Sequence, residues 1–153
     1  SNAPLRTVTI DGGGYEDIRA GSAQTVVQYT ENIPELLEIG FQKEEFLDRK
    51  YYTITLAAEG TPVRISMTLH SNDRMVIYDS NFPFRTASNE NRGEIYIGAF
   101  PPNPLKIEVV LPQDIEVEAR FTVFYLQPPY DLTVTSENAV IHRRMSCISW
   151  VDL

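Results

Sequence analysis

Strict period-two alternation of apolar and polar residues constrains this chain more than any other feature. Val63, Ile65, Met67 and Leu69 alternate with Arg64, Ser66, Thr68 and His70. Leu105, Ile107, Val109 and Leu111 alternate with Lys106 and Glu108, and the longest run sets Ile115, Val117, Ala119, Phe121, Val123 and Tyr125 against Glu116, Glu118, Arg120 and Thr122. Successive side chains of a strand point to opposite faces, so each run predicts a strand with one buried and one wet side. Phe124 and Leu126 are also apolar, which predicts that the second half of the longest strand is covered on both sides.

Further strands are expected at 24–30, 35–41, 51–58, 75–79, 94–99, 132–135 and 145–151. Between them lie segments rich in Gly, Pro, Asn, Asp and Ser, among them Asp11-Gly12-Gly13-Gly14, Glu59-Gly60-Thr61-Pro62, His70-Ser71-Asn72-Asp73 and Pro101-Pro102-Asn103-Pro104. Short strands punctuated in this way predict an all-β fold, an antiparallel β-sandwich of jelly-roll type with about eight to ten strands and little helix. Two short helical turns are expected at most, at 33–38 behind Pro34 and at 42–50. The expected core is Ile54, Leu56, Val63, Ile65, Met67, Leu69, Ile77, Ile95, Ile97, Ile107, Val109, Val117, Phe121, Val123 and Trp150.

The chain has 153 residues, enough for one core. Ser1-Asn2-Ala3 reads as the remnant of a cleaved tag, leaving 4–153 as a single domain. A net charge of −8 with no basic stripe opposes nucleic acid and anionic lipid as partners. No apolar run approaches the ~20 residues that span a bilayer, so no membrane insertion is expected. The single cysteine, Cys147, sits in a strand-like run and reads as a buried thiol.

Catalytic chemistry finds little support. Asp11-Gly12-Gly13-Gly14-Tyr15 lacks the helix start and the lysine of a phosphate-binding loop and reads as a turn. His70 and His142 stand outside any zinc-binding spacing, and no Gly-x-Ser-x-Gly elbow occurs. No catalytic residue and no cofactor is therefore assigned. Calcium is the one metal with candidates: Asn72, Asp73 and Asp79 around one hairpin, with Asn89, Glu90, Asn91 and Glu94 near its other end. These do not follow the spacing of a calcium loop, and solvated turns explain them more simply.

Aromatic residues supply the candidate binding site. Tyr78, Phe84, Tyr96, Phe100 and Tyr130 would form a stacking platform if exposed together. The opposing expectation is that Phe82, Phe84 and Phe100 fold inward to close the ends of the sandwich.

The order of events from Tyr51-Tyr52-Thr53-Ile54-Thr55-Leu56, through Pro62-Val63-Arg64-Ile65-Ser66-Met67, to Arg74-Met75-Val76-Ile77-Tyr78-Asp79-Ser80 resembles the bacterial pre-peptidase C-terminal domain and its jelly-roll relatives. Gly93-Glu94-Ile95-Tyr96-Ile97 and the strand at 105–111 continue the likeness, which covers about 51–126. The family's Gly-x-Tyr-x-Ile/Val ending is absent, and Pro101-Pro102-Asn103-Pro104 replaces a plainer turn. The resemblance implies an accessory, non-catalytic module of exported bacterial proteins, sometimes associated with calcium or polymer surfaces.

Three functions are thus expected in order. The first is a non-enzymatic interaction or accessory module of a periplasmic, cell-surface or secreted bacterial protein, meeting a protein or a glycan. The second is a carbohydrate-binding module built on the aromatics. The third is a jelly-roll hydrolase or lyase in which His70 or His142 meets carboxylates in a cleft.

Overall fold

Alternation becomes two antiparallel sheets stacked on their apolar faces. The computed structural model describes residues 5–17, 25–29, 36–86, 90–126, 139–141 and 145–153, and side-chain surroundings for 36–86, 90–126 and 146–153. The expected strand at 132–135, residues 33–35, Asn89, Tyr130 and His142 lie outside the described residues. The strands are β1 (Leu5–Asp17), β2 (Thr25–Tyr29), β3 (Leu37–Phe46), β4 (Arg49–Ala58), β5 (Arg64–Ser71), β6 (Asp79–Ser80), β7 (Phe84–Thr86), β8 (Arg92–Ala99), β9 (Leu105–Pro112), β10 (Val117–Tyr125), β11 (Ala139–Ile141) and β12 (Met145–Asp152). No helix occurs among the described residues.

The larger sheet runs β11-β1-β12-β10-β5-β8-β7, with β2 paired to β1, and the smaller runs β3-β4-β9-β6. Its topology is that of a folded ribbon. β4 pairs with β9 from Arg49↔Pro112 to Leu56↔Leu105, and β5 pairs with β8 from Arg64↔Ala99 to His70↔Arg92. The chain 49–71 therefore runs antiparallel to 92–112 through both sheets, and the two strands of the ribbon cross between sheets together at 59–63 and 100–104. With β10 beside β5 and β6 beside β9, this wrapping is the jelly-roll arrangement. β12 occupies the place next to β10, and β3 extends the smaller sheet as a hairpin with β4.

Asparagine side chains hold the crossings. Asn103 copies a strand backbone: its Oδ1 accepts from Ala58 N–H at 3.0 Å and its Nδ2 donates to the Ala58 carbonyl at 2.6 Å. Phe100 N–H donates to the Val63 carbonyl at 2.9 Å beside it. At the opposite crossing, Asn72 Oδ1 accepts from Glu116 N–H at 3.0 Å, and Asn91 Nδ2 donates to the Ser71 carbonyl at 3.2 Å. On the edge of the smaller sheet, Asn81 Oδ1 accepts from Glu108 N–H at 2.8 Å and its Nδ2 donates to the Lys106 carbonyl at 3.0 Å. Such groups would otherwise be lost where the ladders end, and buried backbone polar groups are rarely left unpaired.

The expected core is largely observed: Ile54, Leu56, Ile65, Met67, Leu69, Ile77, Ile95, Ile107, Val109, Val117, Phe121 and Val123 are all buried. Tyr52, Leu105, Leu111, Ala119, Tyr125, Cys147 and Val151 join them. Val63 and Ile97 are half-buried, with Ile97 packed on the core. Trp150 corrects the expectation. In β12 it is Cys147, Ser149 and Val151 that face inward, and the one-residue step puts Trp150 on the outer face opposite Arg120.

Four local expectations change as well. Residues 42–50 form no helix; they are the overhanging end of β3, a two-residue turn at Leu47-Asp48, and the start of β4, because pairing to β4 satisfies the backbone that an isolated turn could not. The glycines at 12–14 lie within β1, where the pairing with β2 shifts register between Ile10 and Gly14, an irregularity that glycine accommodates. Only Asp79 of the expected 75–79 strand enters a ladder, as the first residue of β6, since the segment crosses between sheets while Met75 and Ile77 still point inward. Phe84–Thr86, outside every expected strand, forms edge strand β7.

Two buried tyrosines differ in one respect that stability measurements detect. Tyr125 Oη donates to the Glu59 carbonyl at 2.7 Å, whereas Tyr52 Oη is buried with no hydrogen-bond partner among the described residues. Burial, with Glu45 adding repulsion, pushes the Tyr52 hydroxyl up to about 12. A buried unpaired hydroxyl costs ~1–3 kcal/mol, and a made hydrogen bond contributes ~1 kcal/mol. Thermal unfolding is expected to show Tyr52→Phe stabilised, by about 1 kcal/mol, and Tyr125→Phe destabilised by a similar amount.

Candidate functional site

The ribbon's register sets the outer face of the larger sheet in rows. Asp152, Glu118, His70 and Arg92 stand opposite one another across β12, β10, β5 and β8. The next row is Trp150, Arg120, Thr68 and Glu94, extended by Arg85 on β7. The third is Ile148, Thr122, Ser66 and Tyr96. Phe124 and Arg64 face each other in the fourth.

Rings and guanidinium groups pair on this face. Arg64 lies 4.3 Å from the centre of the Phe124 ring, and Arg120 lies 5.4 Å from that of Trp150. His70 packs against the other part of Trp150, with ring centres 5.8 Å apart. Tyr96 Oη donates to Glu94 at 2.7 Å, and Arg85 and Arg92 each approach the Glu94 carboxylate at 3.4 Å. The Tyr96 hydrogen bond, with the two arginines behind it, holds the Glu94 carboxyl below its ordinary range. Arg64 and Arg120, by contrast, meet no carboxylate in ion-pair range among the described residues. Arg120 Nε and His70 Nε2 are buried without hydrogen-bond partners among those residues.

Two clefts open here. One, of about 440 Å³, is lined by Arg64, Arg92 and Arg120 together with Glu94, Ser66, Thr68 and Tyr96. The other, of about 590 Å³, lies at the rim where His70, Asn72, Glu116, Glu118 and Asp152 meet.

The five aromatics chosen from sequence do not share a surface. Tyr96 is exposed on the outer face of the larger sheet, and Phe84 is on edge strand β7, partly exposed opposite Ile95. Tyr78 precedes β6 at the edge of the smaller sheet, with Arg49 stacked 4.1 Å above its ring. Phe100 is 76% exposed at the crossing beside Val63, with a positive φ of 50°. Of the three rings expected to fold inward, only Phe82 packs on the core. Phe124 and Trp150 complete the ring set on the larger face. Their partnership with Tyr96 depends on β8, β5, β10 and β12 being neighbours, which no local sequence signal carries.

The calcium candidates are engaged with backbone. Asp73 Oδ1 accepts from Arg74 N–H at 2.7 Å, and Asp79 Oδ1 accepts from Ser80 N–H at 2.9 Å on the other sheet. Asn72 clamps Glu116, and Ser71 Oγ donates to the Asp73 carbonyl. No group of three or more acidic, His or Cys side chains fit to hold a metal occurs among the described residues. Cys147 is buried, as expected. No helix among the described residues is long and apolar enough to cross a membrane.

No family model, curated protein or solved structure matches the chain.

Two outcomes follow from these roles. Asn72→Ala is expected to lower the melting temperature equally in excess calcium and in chelator, since the lost partner is Glu116 N–H; a loss confined to calcium-containing buffer would make Asn72 a ligand. Burial, with Arg120 and Arg92 adding repulsion against the opposing pull of Glu118, lowers the His70 pKa from its ordinary 6.5. The unfolded chain then takes up this proton more readily than the folded one. Stability is therefore complete above pH 6.5 and falls as pH drops through that value, and His70→Gln is expected to flatten this fall in denaturant titrations between pH 7.5 and 5.5.

Proposed function

We propose that this chain is a non-enzymatic binding module of an exported or cell-surface bacterial protein, and that the outer face of its larger sheet receives the ligand. The observation that carries this reading is the pair of arginines set over rings, Arg64 over Phe124 and Arg120 over Trp150, which line an open cleft beside Glu94 yet themselves meet no carboxylate in ion-pair range among the described residues. Exposed ion pairs and cation–ring contacts add little stability by themselves. A face that gathers such groups around a cleft suits recognition better than folding.

The sequence resemblance to the pre-peptidase C-terminal domain belongs to this same proposal, since what it implies is an accessory, non-catalytic module. A periplasmic, cell-surface or secreted setting belongs to this proposal. The ligand classes that fit are a glycan or a protein partner. The glycan-binding alternative moves from the five dispersed aromatics to Tyr96, Phe124 and Trp150.

One observation favours a hydrolase or lyase instead: His70, Glu118 and Asp152 are cross-strand neighbours beside the 590 Å³ cleft. A base must come within hydrogen-bond reach of the proton it takes, and His70 Nε2 is buried with no hydrogen-bond partner among the described residues.

Trp150 is the only tryptophan, so its emission reports on this face. Titration with a panel of soluble polysaccharides and peptides, with product release followed in parallel, is expected to give a saturable emission change with at least one member and no turnover. Turnover lost in His70→Ala would contradict the reading, as would a panel that leaves the emission of Trp150 unchanged.

A further inference from the structure

We infer that the ligand of the larger sheet's outer face is an acidic polysaccharide, whose sugar carboxylates pair with Arg64 and Arg120. This rests on the reading of that face as a binding surface and names what it binds.

Charge makes the first step. The chain carries 21 acidic against 13 basic residues, so carboxylates are abundant. On this face Arg85 and Arg92 share Glu94, yet Arg64 and Arg120 meet no carboxylate in ion-pair range among the described residues. They are held against aromatic rings, and both line the 440 Å³ cleft. A guanidinium presents a planar fork of donors that fits a carboxylate in two-point contact, and a ring beside it limits the positions the fork can take. The chain itself leaves two such forks without their natural partner, and a ligand carboxylate supplies it.

Shape and backbone make the second step. β5 and β10 each have two neighbours in the sheet, so their main-chain groups are consumed by ladders on both sides. An extended peptide cannot add to this surface by strand pairing. Recognition must come from side chains: rings, guanidinium groups and the hydroxyls of Ser66 and Thr122, beside a Glu94 carboxylate that Arg85 and Arg92 already pair and with Glu118 and Asp152 toward the rim. Tyr96 on β8 and Trp150 on β12 stand three strand spacings apart, roughly 14 Å at the usual ~4.8 Å separation. That span suits a chain of a few sugar rings lying across the strands, stacked at its ends and paired by charge between them. A nucleic acid is disfavoured by the charge of −8, since its affinity depends on many phosphate neutralisations.

Calorimetric titration with polygalacturonate, its fully methyl-esterified form, a neutral glucan and polyglutamate tests this. Polygalacturonate is expected to bind, and esterification and the neutral glucan are each expected to weaken affinity at least tenfold. Arg64→Ala and Arg120→Ala are each expected to weaken it about tenfold, with Arg120→Lys failing to restore it, while Lys106→Ala on the smaller sheet leaves it unchanged. Unaltered circular dichroism and melting temperature identify variants that fold. Equal binding of the esterified or neutral polymer would overturn the acidic-sugar inference and leave the binding face standing. Tighter binding of polyglutamate would replace a saccharide by an acidic protein. Absence of polygalacturonate binding, or binding indifferent to both arginines, would overturn the inference outright.

Discussion

Everything else in this structure depends on the ribbon formed by 49–71 and 92–112, which passes through both sheets with one register shift inside the larger sheet, between Arg64 and Ser66. On its inner side the ribbon delivers Ile54, Leu56, Ile65, Met67, Leu69, Ile95, Leu105, Ile107, Val109 and Leu111 to one core. Removing such apolar surface from water is the dominant favourable contribution to folding. On its outer side the same register fixes which polar residues become neighbours. A slip of one residue would expose the core and scatter the rows of the larger sheet at once. The asparagine clamps at 72, 81 and 103 act where slippage would begin, because each takes up backbone groups at the end of a ladder.

The inner side was legible in the sequence. Alternation names inward residues wherever one face is buried, and it predicted the sandwich and most of the core from β4 onward. It failed where strands leave the sheets. Residues 75–79 alternate because Met75 and Ile77 fill the end of the core during a crossing, not because they pair along a ladder. Residues 42–50 look helical because the overhanging end of β3 is polar on both sides, and Lys43 and Glu45 point beyond the core. Trp150 was misplaced by size: hydrophobic bulk argued for burial, while the parity fixed by Cys147, Ser149 and Val151 argued against it.

The outer side was mostly hidden. Its rows join residues from 64 to 152, and only strand order brings Arg120 between Trp150 and Thr68. Tyr96 is exposed, as are Tyr78, Phe84 and Phe100, yet the neighbours that strand order gives Tyr96 on this face, Phe124 and Trp150, carry sequence signals of burial. The calcium candidates are engaged with backbone for a related reason. Asn, Asp and Ser cluster where backbone groups need side-chain partners, and that need is as common in a jelly roll's crossings as metal binding is rare.

A face assembled by the register of four strands can be located directly. Chemical-shift mapping of the isotope-labelled chain during titration with a short galacturonate oligomer reads each backbone amide separately. The amides of Ser66, Thr68, Tyr96, Arg120 and Thr122 and the indole N–H of Trp150 are expected to shift together and saturate at one ligand concentration, while Thr53, Thr55 and Lys106 on the smaller sheet stay still. Shifts centred on the smaller sheet or on the crossings, or no saturable shift anywhere, would contradict the assignment of the larger sheet's outer face as the binding surface.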